Sequence, residues 1–102
     1  MTTLIAPVVT ALQAQGEANS YLSDRMPDRF HASHPEFDLE AGFWRVPVVL
    51  SYPILGVLGQ VGEIIVNALK EEVLSASTRE EMLGAAKPLY EQHRDAIEAP
   101  LL

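Results

Sequence analysis

The feature that most constrains this chain is the run Trp44-Arg45-Val46-Pro47-Val48-Val49-Leu50-Ser51-Tyr52, in which side-chain character changes at every second position. Trp44, Val46, Val48, Leu50 and Tyr52 fall on one side, and Arg45, Pro47, Val49 and Ser51 on the other. Successive side chains of an extended chain point to opposite faces, so the run predicts a strand over 43–52 with its bulkier face on a core. Proline cannot donate to a ladder, and Pro47 therefore points to a strand at a sheet edge. A second strand is predicted over 61–69, with Ile64, Val66 and Ala68 on one face and Val61, Glu63, Ile65 and Asn67 on the other. Lys70-Glu71-Glu72 then turns the chain into a short third strand over 72–77. Such short connections suit antiparallel neighbours and leave no room for parallel crossovers.

Helical spacing flanks this central region. Val8, Ala11, Leu12, Ala18, Tyr21, Leu22 and Met26 recur at steps of three and four, which predicts an amphipathic helix over 8–26. Pro7 suits its first turn and Pro27 its end. Gly16 in its middle costs about 1 kcal/mol relative to alanine. Residues 28–42 are polar and contain proline, and read as a surface loop. A second helix is predicted over 79–98, opened by Thr78-Arg79-Glu80-Glu81, a capping box in which Thr78 and Glu81 satisfy each other's amides. Met82, Ala86, Leu89, Tyr90, His93 and Ile97 share one face. Pro88 predicts a kink or break, and Pro100 ends the element. The fold class that follows is α+β: two layers, with an N-terminal helix, a three-stranded antiparallel meander and a C-terminal helix in one domain spanning 1–102.

Seven basic residues stand against fourteen acidic ones, a formal charge of −7, and the basic residues are scattered. That balance repels phosphate backbones and argues against nucleic-acid binding. The absence of cysteine excludes disulfides, thiolate metal sites and thiol catalysis. Met1 to Gln15 lacks the basic start of a secretory signal, so a cytoplasmic protein is expected. The uncharged stretch Val46 to Gly62 has the minimal length for a membrane span. Two prolines, three glycines and many β-branched residues make two strands the better reading, and no membrane partner is expected.

Candidate chemistry is sparse. His31, His34, Glu36 and Asp38 could in principle surround a divalent ion, but their spacing matches no metal-ligand pattern, and neither a metal nor a cofactor is expected there. His93 on the apolar side of the last helix reads as a half-buried histidine bonded to a carbonyl or carboxylate. Gly56, Gly59 and Gly62 precede a strand and lack a nearby lysine, which fits turn geometry or close packing better than a phosphate cradle. No serine or threonine sits in a nucleophile motif, and no catalytic residue is assigned.

The segment from Gly62 to Leu74 resembles the β-hairpin of PepSY-like domains, matching its pattern at Val66, Ala68, Glu72, Val73 and Leu74. Asn67 stands where that pattern has Asp, and Lys70-Glu71 replaces its Thr-Gly turn. The resemblance covers about an eighth of the chain and implies a hairpin there. It also implies a tie to peptidase inhibition or regulation in exported proteins, which the missing export signal does not support. Taken whole, the chain also resembles small bacterial proteins of the cyanobacterial kind, to which no activity attaches.

Surplus apolar surface gives the functional expectation. Ile54, Leu55, Val57 and Leu58 form an apolar loop, and Phe43, Val49, Ile65 and Val73 occupy a second sheet face where a solvated sheet would show polar groups. These eight residues are the expected partner-contact set of a non-catalytic interaction or regulatory module, working as a homodimer or larger homo-oligomer or with another protein. The alternatives are a metal-binding protein or metal-dependent enzyme built on the 31–38 loop, and a small-ligand binder with Trp44 and Tyr52 as aromatic walls.

Overall fold

The structure, a computed structural model, describes residues 6–99. Two helices and five strands follow in the order α1 (Ala11–Arg25), β1 (Phe30–Ala32), β2 (Glu36–Asp38), β3 (Phe43–Tyr52), β4 (Gly56–Asn67), β5 (Val73–Ala76) and α2 (Arg79–Glu98). All pairing is antiparallel: β3 lies beside β4, β4 beside β5, and both β1 and β2 flank the other side of β3. The α+β expectation holds, but the sheet has five strands where a three-stranded meander was expected. The two additions come from residues 28–42, read as loop. Each is three residues long, too short for alternation to register in sequence, although Phe30 and Ala32 are buried on either side of exposed His31.

Pro47 does not mark an edge. β1 pairs with Val48–Leu50 and β2 with Phe43–Arg45, so β3 is interior and Pro47 sits where one partner gives way to the other. Its carbonyl accepts from the Ser33 amide at 2.8 Å, and in an extended residue N and O point the same way. The missing N–H therefore faces a gap between strands, where no ladder bond is lost.

Both helices begin on reciprocal capping boxes. Thr10 with Gln13 opens α1, and Thr78 with Glu81 opens α2. The first starts three residues later than the apolar spacing suggests, so Val8 is not helical, and the buried stripe becomes Ala14, Ala18 and Leu22, with Met26 just beyond. Leu12 faces solvent. Helix α2 runs unbroken through Pro88, which is exposed. Pro100, expected to stop α2, and Met1–Ile5 of the segment read for a targeting signal lie outside the described residues.

The core is one cluster in which both helices meet a single sheet face: Ala14, Ala18 and Leu22, then Met82 and Ala86, against Trp44, Val46, Val48, Leu50, Ile64 and Val66. Two register shifts between β3 and β4 bend the long hairpin and leave Val61 and Leu58 as extra residues on β4. Val61, expected opposite the core, is accordingly buried, and Leu58 packs against the cluster. The glycines divide their work. Gly56 has a φ of +79° in the hairpin turn, while Gly59 and Gly62 let α2 lie close on the strand. A Cβ on Gly62 would come within 2.8 Å of Met82 Cγ and 3.0 Å of Ser77 Cβ.

Two alanine substitutions test this packing with opposite signs. Gly62→Ala overfills the α2–β4 contact and should cost about 1–3 kcal/mol. Gly16→Ala, where a Cβ meets nothing within 4 Å in mid-helix, should add about 0.5–1 kcal/mol. Urea unfolding of both variants reads the difference directly.

Candidate interaction surface

The eight residues expected to contact a partner separate into three environments. At the β3–β4 hairpin tip, Ile54 is 77%, Val57 63% and Leu55 38% exposed. Pro53, Ile54 and Leu55 form the turn, and Gly56 returns the chain into β4. An apolar turn is unusual because turns normally carry groups that bond water, and here only the backbone can. Leu58 and Val73 pack against the core; Val73 pairs with Val66 after a register shift in the β4–β5 ladder.

Phe43, Val49 and Ile65 lie half-buried on the sheet face away from the helices. That face is not simply apolar. Arg45 projects across it, its Nε donating to Asp38 Oδ2 at 3.0 Å and its Nη1 to Glu63 Oε1 at 2.9 Å. The guanidinium also stands 5.2 Å from the centre of the Phe43 ring. One cation thus ties β2, β3 and β4 together and shields part of the surface that composition left bare. Asp38 is held further by the Glu40 and Ala41 amides, which donate to its Oδ1. The Ala41 amide, followed by Arg45, keeps its carboxyl below the usual range.

Asp38 is therefore not available as a metal ligand without losing Arg45. His31 is exposed on β1, and among the described residues no three His, Asp or Glu side chains are grouped to hold an ion. His93 is half-buried, with Nδ1 2.9 Å from the Leu89 carbonyl oxygen. Trp44 is committed to the core, where Nε1 donates to the Val9 carbonyl at 2.8 Å and the ring meets Phe37 edge-on.

Sequence reasoning missed a groove of about 480 Å³ beside the tip, bounded by Arg29, Tyr52, Ile54 and Leu55 on the sheet side and by Ala96 and Ile97 of α2. Its parts are far apart in sequence, and only the antiparallel return of α2 along β4 unites them. A second apolar group also escaped notice. Val8 and Leu12 are exposed at 70% and 79%, and Val8 lies near Leu69 because the Val8 and Val9 amides both bond the Ala68 carbonyl.

Among the described residues no helix is long and apolar enough to cross a membrane. Compared with protein-family models, curated proteins and solved structures, the chain matches none.

Acid unfolding reads the Asp38 arrangement. A carboxylate whose pKa falls on folding contributes stability above its unfolded value and loses it as pH drops through the folded one. Asp38→Asn should melt lower than wild type at pH 7. It should also lose less further stability on acidification below about pH 4. Thermal circular dichroism from pH 7 to pH 2.5 provides the comparison, and parallel curves would remove Asp38 from the acid response.

Proposed function

We propose that this chain is a non-catalytic interaction module that self-associates through the β3–β4 tip, with Ile54 and Val57 at the centre of the contact. The observation that carries this reading is the concentration of exposed apolar side chains on one turn and the strand leaving it. Contiguous apolar surface of this kind is uncommon on monomers and typical of contact sites. Charge supports a second copy as the occupant. Each copy carries a formal −7, yet no charged residue occurs from Val46 to Gly62, so two acidic molecules can meet here without opposing carboxylates. The open sheet face is the weaker contact, because Asp38, Arg45 and Glu63 would have to be desolvated with it.

Sedimentation equilibrium at micromolar concentration tests the reading and its location together. Wild-type protein should sediment as a dimer, Val57→Glu as a monomer with an unchanged far-ultraviolet spectrum, and Ile65→Glu as a dimer. A monomeric wild type overturns self-association, and a dimer lost only in Ile65→Glu moves the contact to the open face.

A further inference from the structure

Four of the five arginines direct their guanidinium at an oxygen. Arg25 donates to the Tyr21 carbonyl, Arg45 to Asp38 and Glu63, Arg79 to the Arg25 carbonyl, and Arg94 to Glu98. Arg29 is the exception among the described residues: its guanidinium has only the Tyr52 ring, 5.2 Å from the centroid. Its own backbone is fixed, since the Ser51 amide donates to the Arg29 carbonyl at 2.9 Å. Arg29 is thus exposed and anchored through its backbone at the hairpin tip, and among the described residues it is the one charged residue bounding the apolar groove.

We propose that this groove binds a medium-chain fatty acid, with the carboxylate on the Arg29 guanidinium and the alkyl chain across Ile54, Leu55, Ala96 and Ile97. A pocket of this volume with mainly apolar walls and a few polar groups, here Arg29 and Tyr52, has the form of a small-molecule site. Guanidinium presents paired donors that match a carboxylate. Glu98 of α2, next to Ile97 in the chain, is turned back along its helix, accepting from Tyr90 Oη at 2.6 Å and from Arg94 Nε at 3.2 Å. The carbonyl pole at the C-terminal end of α2 repels an anion, which leaves Arg29 as the place for the head group. An alkyl chain is indifferent to that pole and can lie along Ala96 and Ile97. The remaining donor capacity of Arg29 and the uncovered apolar walls are both satisfied by one amphiphilic acid. The groove shares Ile54 with the contact proposed for self-association, but it adds a charged residue, Arg29, and lies on the α2 side of the tip.

The test is titration of isotopically labelled protein with sodium octanoate, sodium decanoate and decyltrimethylammonium, followed by amide chemical shifts. Decanoate should saturate, moving the amides of Ile54, Leu55 and Ile97, and should bind more tightly than octanoate by roughly threefold to fourfold per methylene. Arg29→Gln should weaken decanoate about tenfold, within the range of a lost charge-assisted contact, with Arg29→Lys in between. The cationic amphiphile should not saturate these shifts. No saturable binding by wild type, equal binding by Arg29→Gln, or equal binding of decyltrimethylammonium each overturns the proposal. Sedimentation separates this result from the association reading: Arg29→Gln keeps the wild-type oligomeric state, and Val57→Glu still binds decanoate.

Discussion

The register between β3 and β4 is the constraint on which the rest of this structure depends. Over Phe43–Val48 the pairing is regular, and Trp44, Val46 and Val48 share a face with Val66, Ile64 and Gly62. Beyond Val48 the two register shifts insert Val61 and then Leu58, and each insertion changes which β4 side chains meet the helices. Gly62 lies under Met82 in the regular part of the ladder, and the first shift brings Gly59, in place of Gln60, under Leu89. Without those slips, a strict period of two over 61–69 sends Val61 to the open face, and a different set of side chains would have to receive α2.

Closure of α2 onto the hairpin in turn creates the two features of functional interest. The helix enters from β5 opposite Glu63, where the Ser77 amide bonds the Glu63 carbonyl and the Ser77 hydroxyl accepts from the Glu63 amide. It then runs back along β4 towards the tip. Its length carries Ala96 and Ile97 to the turn, so the groove beside Arg29 is a product of helix length and direction. The same helix leaves the outer side of the turn uncovered, because twenty residues along one face cannot also wrap its end. Exposure of Ile54 and Val57 thus follows from the architecture that packs the half-buried Leu58 and Leu89 against the core.

Local rules read well wherever the structure obeys one rule at a time. The bounds of β3 and α2 follow from alternation and from the Thr78 capping box, and the roles of Gly56, Gly59 and Gly62 follow from the lack of a phosphate-binding context. Reading fails where two elements share a decision. Pro47 signals an edge only if each side of a strand has one continuous neighbour, and β3 has two on the same side. Leu12 fits a helical stripe in sequence, but the sheet receives the helix through Ala14 and Ala18, whose small side chains permit close approach, and through Leu22. Of the expected contact residues, Ile54, Leu55 and Val57 are exposed, while Val73 and Leu58 are drawn into packing by register shifts that no single strand reveals.

Spacing along the chain is enough to set the α+β class, the start of α2, the long central strand and the uncharged apolar stretch, because each rests on interactions between residues near in the chain. Only the tertiary structure decided that Arg45 would bridge Asp38 and Glu63 over the open face. Tertiary structure likewise set the Arg29 guanidinium over the Tyr52 ring, with no oxygen partner among the described residues, and brought α2 to the hairpin tip. Those outcomes depend on which distant groups become neighbours, and that is set by strand register and helix direction, which local spacing does not encode.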